Sequence, residues 1–166
     1  MDKREIEIKL QGALAQLIKD DEFLLVNEVN ERSLTHVLAI YLAKEFPKYH
    51  VDCEYNRMFK DGEQVPKGAV RLSGRVPIDD LNARTAFPDI IVHRREDDLH
   101  NLLVIEAKKL APQSNFSEDF MKLNGFMETK HANGLGYIFS AFVEFNTGAP
   151  KESKAMVKEW GELWPE

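Results

Sequence analysis

The run Pro88-Asp89-Ile90-Ile91-Val92-His93 is followed, after a polar break, by Leu102-Leu103-Val104-Ile105-Glu106-Ala107-Lys108. Both are β-type apolar runs, and each carries charge where a buried strand should have none. The first opens on an aspartate, and the second ends in Glu-x-Lys. Burying an ionised group is costly unless it is paired or bound to a metal. Three such groups on neighbouring strands point to a site that brings a divalent cation and a lysine together.

Alternation along a strand places Glu106 and Lys108 on one face, about 7 Å apart. Asp89 shares its face with Ile91 and His93. A hairpin with Arg95 opposite Leu102 would put Asp89 opposite Lys108 and diagonal to Glu106, within reach of long side chains. A slip of one residue would turn the aspartate to the other face. Two converging carboxylates repel, and one keeps its proton unless a cation sits between them. Oxygen ligands with positions left for water suit Mg²⁺ or Mn²⁺. Such an ion polarises a phosphoryl oxygen and acidifies bound water, and a nearby ammonium offsets the charge that develops on the phosphate. Pro88-Asp89 alone is a common turn dipeptide, and Glu106-Ala107-Lys108 alone a common strand end. The specificity lies in their combination.

That combination resembles the PD-(D/E)XK nuclease superfamily, over roughly residues 25–145. The resemblance implies a restriction-endonuclease-like α/β core, a central mixed sheet with a hairpin flanked by helices. It implies Asp89 and Glu106 as metal ligands, with the Ala107 carbonyl as a further donor, and Lys108 as the residue that assists the hydrolytic water. It also implies a helix glutamate, for which Glu31 fits better than Glu28, and a polar residue on the next helix, where Lys122 stands three residues after Asp119 and would meet a phosphate. Arg57, closing the first strand, is a second phosphate candidate. His93 shares the active face without an assigned role. The implied activity is Mg²⁺- or Mn²⁺-dependent phosphodiester hydrolysis, with DNA the expected nucleic acid. The alternatives are a catalytically silent nucleic-acid-binding or assembly subunit of the same fold, and a structural protein that docks through its C-terminal aromatic residues.

The elements needed to hold these residues can be read from periodicity. Ile6, Leu10, Leu14 and Leu17 predict a helix over 3–19. A second runs from Glu28 or Glu31 to Phe46, capped by Asn27 or Asn30 and stopped by Pro47. Alternation predicts a strand over 49–57. Residues 58–86 form a long connection with a short hairpin at 69–72. Strands follow at 89–95 and 102–108, then a helix over 117–130, a strand over 137–145 and a terminal helix over 151–164 bearing Met156, Val157, Trp160, Leu163 and Trp164.

At 166 residues the chain is expected to be one domain, with 1–25 an N-terminal and 151–166 a C-terminal helical segment. The apolar and charged fractions, 43% and 30%, are those of a globular protein rather than a disordered tail. With no apolar run long enough to span a bilayer and no signal-peptide pattern, a cytoplasmic, non-membrane protein is expected. The single cysteine, Cys53, excludes an intrachain disulfide and a cysteine-rich zinc site. A net charge of −6 argues against indiscriminate nucleic-acid binding. From Arg57 to Arg95, however, eight basic residues face five acidic ones, which suits a polyanion-facing side. Any sequence specificity would come from the 58–86 connection, a second copy of the chain in a homodimer, or a partner subunit.

Overall fold

A computed structural model of the chain describes residues 1–55, 87–95, 97, 100–111, 116–127, 135–149 and 154–162, and the backbone of 57–60 and 63–66. Three helices come first: α1 (Lys3–Asp20), the short α2 (Glu22–Val26) and α3 (Glu31–Glu45). Next come strand β1 (His50–Cys53), a separate hairpin of β2 (Arg57–Lys60) and β3 (Glu63–Pro66), then β4 (Ile90–His93) and β5 (Leu103–Lys109). Helix α4 (Ser117–Met127) and strands β6 (Phe139–Asn146) and β7 (Lys154–Glu162) complete the order. Five strands form one mixed sheet, β1-β4-β5-β6-β7, in which only β5 and β6 run parallel. A parallel pair needs a long crossover, and α4 supplies it. The chain is thus an α/β protein with a five-stranded mixed sheet flanked by helices.

Each sheet face has its own core. Residues of one parity, including Ile90, Val92, Ile105, Ala141 and Val143, pack with the apolar stripes of α1 and α3. Residues of the other parity, Ile91, Val104 and Phe142, pack with Leu123, Phe126 and Met127 of α4. Each fully buried Leu or Ile contributes about 1.5–3 kcal/mol. Because β4 and residues 103–107 of β5 are buried on both faces, a charge among them meets protein rather than water, while Lys108 and Lys109 at the end of β5 are part-exposed.

The start of α3 is set by Asn30, whose side-chain oxygen accepts hydrogen bonds from the Ser33 N–H at 2.9 Å and the Ser33 hydroxyl at 3.1 Å. The helix therefore begins at Glu31, the later of the two predicted starts. Asn30→Ala removes the cap and should lower stability by about 1 kcal/mol, read as a drop of about 2–4 °C in the melting temperature.

Several expectations need correction. The terminal segment is not a helix: 154–162 is the edge strand β7, paired antiparallel with β6. Its apolar residues fit both periods. Ala155 and Val157 face the α1/α3 core, while a bulge opposite Phe142/Val143 breaks the alternation before Trp160. Leu163 and Trp164 lie outside the described residues, as do 128–130 of the predicted fourth helix. A hairpin not foreseen in the sequence lies at 57–66; the expected one at 69–72 lies outside the described residues. The first strand ends at Cys53, where Glu54 turns the chain with φ 47°. The β4–β5 register is two residues from the predicted one: Ile90 faces Ile105, so Asp89 is opposite Glu106 rather than Lys108. An even shift leaves the facing side chains on the same side of the sheet.

Candidate functional site: two carboxylates at the end of the β4–β5 hairpin

Asp89 lies at the entry to β4 and is tied to the neighbouring strand by a hydrogen bond that its Oδ2 accepts from the Ala107 N–H, at 2.8 Å. Its own carbonyl accepts from the Glu54 N–H at 3.2 Å, which joins the turn after β1 to the same point. Ala107 therefore reaches the site through its N–H, holding Asp89 beside Glu106.

Glu106 is buried in β5, and its two oxygens differ. Oε2 accepts from Lys122 Nζ at 3.2 Å, whereas Oε1 is buried without a hydrogen-bond partner. Burial, reinforced by the Asp89 charge, pushes the Glu106 carboxyl up to about 8 against the pull of Lys122. Burial likewise pushes Asp89 up to about 6, partly offset by the Ala107 N–H and aided by Glu31. Both shifts have the same first cause, withdrawal of the carboxyl from bulk water by burial.

Lys108 lies on the same face as Glu106, two residues on, with its Nζ 3.9 Å from Glu31 Oε1. Glu31 Oε2 accepts the Lys109 N–H at 2.8 Å. The Lys109 ammonium in turn donates to the carbonyls of Glu28 and Val29, at 2.9 and 3.0 Å. The last residue of β5 thus clamps the α2–α3 turn and the first residue of α3 onto the sheet. That clamp brings Glu31 to Lys108. Glu28 has positive φ and an exposed side chain, and it contributes only its carbonyl. The role of Lys109 had no signal in the sequence beyond the Lys-Lys doublet.

A cavity of about 370 Å³ opens beside Asp89, lined also by Glu31, Arg32, Thr35, Cys53 and Glu54. At its mouth Arg32 and Glu54 form an exposed ion pair at 3.1 Å. Such pairs are worth at most about 1 kcal/mol, so this one can open. The Cys53 thiol is pushed up to about 11 by desolvation and by Asp52, Asp89 and Glu54, so it is not a thiolate at neutral pH.

Two predicted residues stand apart. His93 is buried at the far end of β4, with its Nε2 2.9 Å from Asp52 Oδ2. Arg95 Nε donates to the same oxygen at 3.0 Å. Burial raises the Asp52 carboxyl, but the bonds from His93 and Arg95 outweigh it and hold the acid well below the usual carboxylate range. Backbone alone is described for Arg57, and its side chain lies outside the described residues.

The donor set suits a divalent cation. Two carboxylates stand opposite one another, at the entry to β4 and on β5, and one carries a buried oxygen without a hydrogen-bond partner. Asp89 and Glu106 would hold the ion. Among the described residues no three Asp, Glu, His or Cys side chains are close enough to form a metal cage. Glu31, engaged by Lys109, stands outside direct ligation, and water would complete the shell, as Mg²⁺ prefers.

The raised acids set a pH dependence. Between about 4.5 and about 8 the folded chain keeps a proton on Glu106 that the unfolded chain has released. Asp89 adds the same sign between 3.8 and about 6. The folded state binds more protons across that window, so this contribution to stability is present at low pH and is lost as pH rises. Metal-free protein should therefore lose denaturant resistance between pH 5 and 8 by more than its Glu106→Gln variant does. A steeper loss in the variant would contradict this environment for Glu106.

No helix among the described residues is long and apolar enough to cross a membrane. Comparison with known proteins adds no assignment: no family model, no curated protein and no solved structure matches this chain.

Proposed function

We propose that this chain is a Mg²⁺- or Mn²⁺-dependent phosphodiester hydrolase with a restriction-endonuclease-like core, acting on DNA. The observation that carries this reading is the meeting of Asp89 and Glu106 across β4 and β5, with Glu106 Oε1 buried and unpartnered. Bound there, a divalent cation would polarise a phosphoryl oxygen and acidify a water. The other roles belong to the chain. The Ala107 N–H fixes Asp89, so little reorganisation is needed when the substrate arrives. Lys108 orients the attacking water and offsets charge on the phosphate, and Glu31 steers the Lys108 ammonium. Lys122 places a positive charge beside Glu106. The middle of the sequence, basic where the whole chain is acidic, supplies attraction for the polyanion.

The test is cleavage of plasmid and of labelled oligonucleotides with Mn²⁺, with EDTA and Lys108→Ala as controls. Metal-dependent cleavage should fall by about 10²–10³ in the variant. Cleavage that survives both EDTA and Lys108→Ala would refute the assignment. The bond from Lys122 to Glu106 favours one other reading, since it already supplies Glu106 with a cation. A gel shift without cleavage would make the chain a silent nucleic-acid-binding subunit.

A further inference from the structure

Lys122 is held between two acids that belong to different elements. Its Nζ is 3.2 Å from Glu106 Oε2 on the sheet and 3.2 Å from Asp119 Oδ1, one turn back on α4. Both acids are buried, Glu106 to 2% and Asp119 to 6% relative exposure. Asp119 sits in the first turn of α4, where the helix dipole favours an anion. Its burial is nonetheless unusual for an aspartate on a helix that otherwise turns Leu123, Phe126 and Met127 inward. The other face of the Glu106 carboxylate, Oε1, has no hydrogen-bond partner. An ammonium equidistant from two carboxylates needs little movement to favour either.

We propose that Lys122 is an exchangeable internal counter-cation: it is shared between Glu106 and Asp119 when no divalent ion is bound and passes to Asp119 when one enters, so that Asp119 is its receiving site. This rests on the metal-site reading above and adds a control on it. The occupancy of the ion and the position of Lys122 are coupled.

The coupling has a definite sign. An ammonium beside Glu106 repels a divalent ion held by the same carboxylate. Removing the ammonium therefore tightens ion binding. Neutralising Asp119 does the reverse. Lys122 is left with Glu106 as its acidic partner, and the entering ion must displace it without a receiving carboxylate.

The experiment is Mn²⁺ binding by the intact, EDTA-treated chain at neutral pH without nucleic acid, followed by the electron paramagnetic resonance of free Mn²⁺. Lys122→Met should tighten binding by roughly tenfold, and Asp119→Asn should weaken it by roughly the same factor. A merely structural role for the pair would move both variants in one direction, and thermal melts by circular dichroism establish that both are folded. If Lys122→Met does not fold, Lys122→Gln and Asp119→Asn carry the same opposite-sign comparison. Unchanged or weaker Mn²⁺ binding in the Lys122 variant, alongside loss of binding in Asp89→Asn, overturns the counter-cation and leaves the metal site standing. Absence of Mn²⁺ binding by the unaltered chain, or binding untouched by Asp89→Asn, overturns both.

Discussion

Asp89→Asn should cut Mn²⁺-dependent cleavage by at least about a thousandfold and leave a protein that is no less stable. The two outcomes have one cause. The amide oxygen of asparagine can still accept the Ala107 N–H bond that Asp89 makes at 2.8 Å, so the entry to β4 keeps its anchor. The negative charge facing Glu106 is gone, and with it part of the repulsion that helps push Glu106 up to about 8. Relieving that repulsion favours the folded state of metal-free protein, while one of the two ligands for the ion is lost. The checks are cleavage rates with Mn²⁺ and melting temperatures with and without Mn²⁺. The unaltered protein should gain melting temperature from Mn²⁺, and the variant should gain none. A variant that melts well below the unaltered metal-free protein would show that Asp89 serves the fold rather than an ion.

The same residue shows which parts of the site were legible. Asp89 and Glu106 could be placed together because side chains alternate strictly along strands, and a charged residue in an apolar run must be explained by its face. The predicted register was two residues off, yet the pair stayed on one side of the sheet, because an even error preserves facing. Partners that depend on tertiary approach were harder to see. Lys109 looks like the solvated half of a Lys-Lys doublet, and its clamp on the α2–α3 turn joins residues about eighty positions apart. Lys122 and Asp119 read as a local i,i+3 pair. Their burial against Glu106 follows from how α4 crosses the sheet, which local spacing does not encode. The C-terminal segment was misread for a related reason. Met156, Val157 and Trp160 satisfy a helical stripe, but the unpaired edge of β6 offers a ladder of hydrogen bonds that local preference cannot foresee.

Phe142→Ala should cost about 3–5 kcal/mol of stability, the largest loss expected from a single side chain near the site. Phe142 is fully buried in β6, directly beside Glu106 in the parallel ladder. Phe116 and Phe120 pack over it with ring centroids 5.0 and 4.9 Å away. Truncation would leave a cavity under the first two turns of α4, where Asp119 and Lys122 are held. The consequence reaches beyond stability. Phe142 is part of the apolar wall that keeps water from Glu106, and desolvation is the largest cause of the raised Glu106 pKa. Water admitted to the cavity would solvate the carboxylate and bring that value down towards the ordinary one. Denaturant unfolding should therefore show the loss, and the pH dependence of stability between 5 and 8 should flatten in the same variant. Phe142→Leu, which keeps most of the volume, should lose much less stability and retain the pH dependence. An alanine variant that unfolds early but keeps the full pH slope would separate the packing of α4 from the desolvation of Glu106, and would place the cause of the raised acid in its neighbouring charges instead.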